Sequence, residues 1–135
     1  MEKQTQILDA SVVVKWFSKE ENSDEALNLK ESYLNGEIIL ITTILTKLEV
    51  LNALKYKGNS EENLKKANEY LENLQIRLVD INNNLLDKAI EISIKYKITI
   101  YDSIYAAIAQ IYGCQLITAD KELFKVPNVI SLNES

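Results

Sequence analysis

The sequence predicts an α/β fold, with a central parallel sheet of about five short strands flanked by helices. Two observations carry this expectation. Brief apolar runs at 6–8, 38–41, 76–81, 115–118 and 129–132 alternate with longer segments whose apolar residues recur at spacings of three and four. Strands separated in this way by helices form βαβ units, whose sheet is parallel and covered on both faces. The composition agrees: 47% hydrophobic and 26% charged residues in 135 are enough for a core that needs no disulfide or zinc. No Pro-, Gly- or Ser-rich linker and no internal repeat divides the chain, so residues 1–135 are expected to form a single domain.

Each element has its own signal. Gln6-Ile7-Leu8 is a strand that ends at Asp9-Ala10-Ser11, and Val12, Val13, Trp16 and Phe17 then follow helical spacing. A second helix is expected over 23–35, with Ser23 as its N-cap, Ala26, Leu27 and Leu34 on its inner face and Gly36 just past its end. Ile38 to Ile41 is a buried strand. A third helix runs from about Thr43 to Lys57 and stops at Gly58; a fourth starts behind the Ser60 cap and reaches about Leu74. Ile76 to Ile81 alternates as a strand, and Leu85, Ala89, Ile92 and Tyr96 mark one face of a helix over 84–97. The remainder reads as a helix from Asp102 to Tyr112 closed by Gly113, a strand at 115–118, one helical turn near 121–123 and a last strand around 129–132.

Composition also excludes functions. The chain has no histidine, so it holds no Ser-His-Asp triad, no Cys-His pair and no imidazole base or metal ligand. Its single cysteine, Cys114, rules out an internal disulfide and reads as a small buried residue. No apolar run is long enough to span a membrane, and the polar stretch from Met1 to Gln6 is unlike a secretion signal, so a cytoplasmic protein is expected. A net charge of −5 argues against nonspecific coating of nucleic acid, which calls for an excess of Lys and Arg. Lys15, Lys47, Lys55 and Lys57 are either phosphate contacts or ordinary solvated surface. The three glycines, Gly36, Gly58 and Gly113, all sit at predicted helix ends and none forms a phosphate-cradling loop, so Walker and dinucleotide motifs are missing. A receiver-type site needs a second acid beside Asp9, where the chain has Ala10.

What remains is a set of acids at element boundaries. Asp9 follows the first strand, Asp102 opens a helix and Asp120 lies two residues beyond Thr118, all at the predicted carboxyl end of the sheet, where α/β folds bind ligands. Glu49 lies mid-helix, on a stripe with Leu45, Asn52 and Tyr56 beside a buried face of Ile44, Leu48, Leu51 and Leu54. Each has a plainer explanation: the aspartates as helix caps, Glu49 as a surface residue paired to a lysine. Gathered together, they make an all-carboxylate site suited to Mg²⁺ or Mn²⁺ and to metal-assisted work on phosphate esters.

Four segments carry a family resemblance. Asp9-Ala-Ser-Val-Val-Val-Lys-Trp-Phe17, Leu48-Glu-Val-Leu-Asn-Ala-Leu54, Tyr101-Asp-Ser-Ile-Tyr-Ala-Ala-Ile-Ala109 and Thr118-Ala-Asp-Lys-Glu-Leu123 resemble, in order, the sequence blocks of PIN-domain ribonucleases, especially VapC-type toxins. The resemblance spans residue 7 to about 132. It implies a PIN-like three-layer sandwich around a five-stranded parallel sheet, and an Mg²⁺- or Mn²⁺-dependent endoribonuclease. It makes Asp9, Glu49, Asp102 and Asp120 the metal ligands, with Ser11, Asn52 and Thr118 as polar neighbours that orient a ligand or a water. It further implies in-line attack by a metal-activated water leaving 5′-phosphate and 3′-hydroxyl ends, an antitoxin partner whose basic residues enter the acidic cleft, and a homodimer. Tyr33, Tyr70 and Leu74 are apolar residues that such a dimer could cover. The alternatives are a PIN-domain nuclease of RNA processing and a catalytically silent RNA-binding or assembly module; a silent member is expected to lose one of the four acids.

Overall fold

A computed structural model describes residues 3–135. Five strands form one sheet: β1 (Gln4–Leu8), β2 (Ile38–Thr42), β3 (Arg77–Leu78), β4 (Gln115–Thr118) and β5 (Val129–Ser131). Their order is β3-β2-β1-β4-β5, and every pairing is parallel. The chain therefore builds outward from β1 in one direction, then crosses back to add β4 and β5 on the other side. The reversal lies between β1 and β4.

Six helices flank the sheet: α1 (Ala10–Val13), α2 (Ser23–Leu34), α3 (Ile44–Tyr56), α4 (Glu61–Asn73), α5 (Asn83–Tyr96) and α6 (Ile100–Tyr112). The pleat sends successive strand residues to opposite faces, and the three central strands use this directly. Ile7, Ile41 and Leu116 pack with Leu85, Ala89 and Ile92 of α5 and Ile104 and Ile108 of α6. Their neighbours Leu8, Leu40 and Ile117 pack with Val12 of α1, Ala26 and Leu29 of α2, Val50 and Leu54 of α3 and Ala67 of α4. The three-layer sandwich follows from that alternation. Among the described residues no helix is long and apolar enough to cross a membrane.

Several local expectations are corrected. The helix after β1 has only four residues, and Val14–Trp16 tightens into a 3₁₀ turn. Asn22, in the left-handed region at φ 64°, precedes α2 in place of Ser23, whose hydroxyl instead accepts from Glu20 N and bonds the Ser18 carbonyl. Leu34 faces solvent, and Leu29 takes the inner position expected of it. The expected strand over 76–81 is only two residues long, because it is an edge strand with a single neighbour. On α3 the buried line is Thr46, Val50 and Leu54; Ile44 and Leu48 point outward, and Leu48 is 58% exposed. Tyr33 and Tyr70 serve the chain's own packing: the Tyr33 hydroxyl donates to the Leu74 carbonyl, and Tyr70 meets Phe17 edge to face with the Lys30 ammonium over its ring. Cys114 is buried, as expected of a lone small thiol.

Candidate active site

The parallel register sets Leu8 of β1 level with Ile117 of β4, so the next residues, Asp9 and Thr118, leave the sheet side by side. The Asp9 backbone carbonyl accepts the first bonds of α1, from Val12 N and Val13 N, while its side chain makes no cap bond. The carboxylate instead takes two hydroxyl protons: Ser11 Oγ donates to Oδ1 and Thr118 Oγ1 to Oδ2, each at 2.5 Å. Those hydroxyls are themselves aimed by the backbone, since Ala119 N donates to Ser11 Oγ and Asp120 N to Thr118 Oγ1. A carboxylate with both oxygens accepting is arranged for its ionised form. Ser11 and Thr118, expected as orienting neighbours, hold Asp9 directly.

Burial works against that ionised form. Asp9 is 4% exposed, and desolvation, opposed by the two hydroxyl bonds and reinforced by the charges of Asp102 and Asp120, pushes its pKa up to about 7. Asp102 is raised as well, first by burial, then by Asp120 and Glu49, with a hydrogen bond to Thr99 opposing. The four acids thus share one field at the carboxyl edge of the sheet, above the β1–β4 reversal. None of them belongs to an ion pair among the described residues. Glu20 marks the contrast, because Lys57 and Lys15 hold its carboxyl below the usual range despite the cost of burial.

Asp102 is not the first residue of its helix. Thr99 caps α6, accepting from Asp102 N at 3.0 Å, and Asp102 sits in the first turn. Asp120 has two roles to fill, since its Oδ1 accepts from Glu122 N and caps the 3₁₀ turn Lys121–Leu123. Glu49 is half-buried on α3 and accepts a short hydrogen bond from the Tyr105 hydroxyl of α6. Asn52 is exposed and bonds none of the four acids among the described residues; the bond to Glu49 comes from Tyr105. Tyr105 was not legible as a site residue, because its position in an apolar helix is also that of a core aromatic. The four lysines do not line the site as free cations: Lys15 and Lys57 pair with Glu20, Lys47 with Glu72, and Lys55 is exposed.

The residues present fit a hard divalent cation. The donor set is oxygen only, among the described residues no lysine or arginine pairs with it, and its most buried member is held ready to accept. Asp9, Glu49, Asp102 and Asp120 are the residues that could hold it. Among the described residues, no three acidic or cysteine side chains stand close enough together to hold a metal ion as they are placed.

A family model, the PIN domain, matches residues 7–129. A toxin–antitoxin complex from Klebsiella pneumoniae is similar at 18% identity, covering 94% of this chain and 97% of that one, with a TM-score of 0.70. VapBC2 from Rickettsia felis, bound to a DNA fragment from its promoter, is similar at 16% identity over 95% and 97% of the two chains, TM-score 0.72. A sarcin–ricin-loop-cleaving VapC toxin from Mycobacterium tuberculosis is similar at 14% identity over 92% and 96%, TM-score 0.73. At these identities the likeness is one of fold. No match is found among the curated proteins.

Proposed function

The chain belongs to the PIN-domain family, and from that premise we propose that it is an Mg²⁺- or Mn²⁺-dependent endoribonuclease, the toxin of a VapBC-type toxin–antitoxin pair. The observation that carries the reading is the buried Asp9 carboxylate, braced by two hydroxyls and sharing its field with Asp102 and Asp120 without a protein cation to balance them. Asp9, Glu49, Asp102 and Asp120 are the proposed ligands. Bound among them, a divalent ion supplies charge neutralisation at the phosphodiester and a water made nucleophilic near neutral pH.

The chain's own residues do the positioning. Ser11 and Thr118 fix the Asp9 carboxylate so that little reorganisation accompanies binding of a cation. Burial and neighbouring charge push the Asp9 pKa up to about 7 and raise that of Asp102, so binding of a cation should release protons. With no histidine in the chain, a route through the RNA 2′-hydroxyl lacks its usual base, which favours hydrolysis to 5′-phosphate and 3′-hydroxyl ends. The antitoxin is proposed to place basic side chains against the same acidic edge. Homodimerisation is part of the proposal, supported by the exposed Ile90 and Ile94 of α5 and Tyr101 at the start of α6. A cytoplasmic location accords with an RNA substrate.

Cleavage-site mapping on total RNA tests this function. Cuts with 5′-phosphate ends are expected with Mn²⁺ and none with chelator, and Asp9→Asn and Asp102→Asn should each reduce cleavage to background with the fold intact. Cleavage that persists in chelator, or full activity in both variants, overturns the assignment.

A further inference from the structure

Tyr105 is 1% exposed and stands in the apolar centre of α6, between Ile104 and Ala106, where a phenylalanine would fill nearly the same space. A buried phenol needs a hydrogen-bond partner, and the fold gives this one Glu49, whose Oε1 accepts its proton. Buried Thr46 lies beside the phenol, its own Oγ1 accepting from Thr42 Oγ1 at the end of β2 at 2.6 Å. The phenol has a single proton to give, and it goes to a carboxylate.

Glu49 needs such an anchor more than the aspartates do. It projects from the middle of α3 on a long side chain, with no neighbouring strand to brace it. We propose that Tyr105 is the positioning residue for Glu49: buried beside Thr46, it fixes one carboxylate oxygen and leaves the other to meet a cation shared with the aspartates. This inference rests on the reading of Glu49 as a metal ligand. It concerns how that ligand is held.

The test is calorimetric titration of Mn²⁺ into the full chain, with RNA cleavage kinetics and melting in chelator measured alongside. Tyr105→Phe should weaken Mn²⁺ binding by roughly ten- to a hundredfold, lowering kcat with KM for RNA unchanged. Thr46→Val, which keeps the phenol, should act in the same direction by less. In a Glu49→Ala background, Tyr105→Phe should add nothing, because its route to the site is already cut. Wild-type Mn²⁺ affinity in Tyr105→Phe, or the same additional loss in the Glu49→Ala background, overturns the assignment of Tyr105 alone. Failure of the wild type itself to bind Mn²⁺ overturns the nuclease reading, and this inference with it.

Discussion

The acidic edge of the sheet has two halves built by different means. Asp9 and Asp120 are set by strand ends: register puts Thr118 beside Asp9, and backbone N–H groups aim the hydroxyls that hold it. Glu49 and Asp102 are set by helices, and Glu49 depends on a tyrosine of α6, a helix that packs on the opposite face of the sheet from α3. In the strand-borne half Asp9 is buried, with its charge strained by desolvation, while Asp120 is half-buried. The geometry of the helix-borne half is only as good as the helix rotation that delivers it.

The sharpest consequence of that contrast is a pH dependence centred on the strand-borne half. Asp9 has its pKa raised from 3.8 to about 7 in the folded chain, so between those values the folded state binds more protons than the unfolded state. Stability without metal should therefore fall as pH rises from about 4 to about 7 and level off above, by up to about 4 kcal/mol from this group. Urea unfolding in chelator across this range measures it. Asp9→Asn should flatten the slope; an equally steep slope in that variant would move the burden to Asp102.

A smaller effect should follow from removing a brace. Thr118→Val keeps the shape of the side chain but takes away the donor to Asp9 Oδ2 and the acceptor for Asp120 N. The expected loss is about 1–3 kcal/mol in unfolding free energy, with the midpoint of the pH slope moved upward. An unshifted midpoint would mean that Thr118 does not hold the Asp9 charge.

The smallest effect probes the helix-borne half. Leu48→Ala should change stability by no more than about 0.5 kcal/mol, against the roughly 2–5 kcal/mol lost when a buried leucine is truncated. A core-sized loss on urea unfolding would mean that α3 is rotated toward the face its sequence suggests, which would carry Glu49 away from Tyr105.

That helix shows where sequence reading stops. The strand-borne acids were legible because a short apolar run followed by Asp reads as a strand end, and parallel sheets bring such ends together. Asp102 was expected to open its helix, and Thr99 three residues earlier takes the cap instead. On α3, apolar residues occur on nearly every side, so periodicity could not select the buried line: Thr46, a polar residue, is inside and Leu48 is out. Asn52 was expected beside Glu49 from its helical stripe, and Tyr105 was passed over, because a bond between helices on opposite faces of the sheet, 56 residues apart in the chain, leaves no local pattern.

The central claim is that the two halves close on one cation. Calorimetric titration of Mn²⁺ into the wild type and into Asp9→Asn, Glu49→Gln, Asp102→Asn and Asp120→Asn tests it most directly. One shared site predicts binding by the wild type, accompanied by proton release, and weaker binding in all four variants. Wild-type affinity in both Glu49→Gln and Asp102→Asn would contradict it, leaving the strand-borne acids to bind alone.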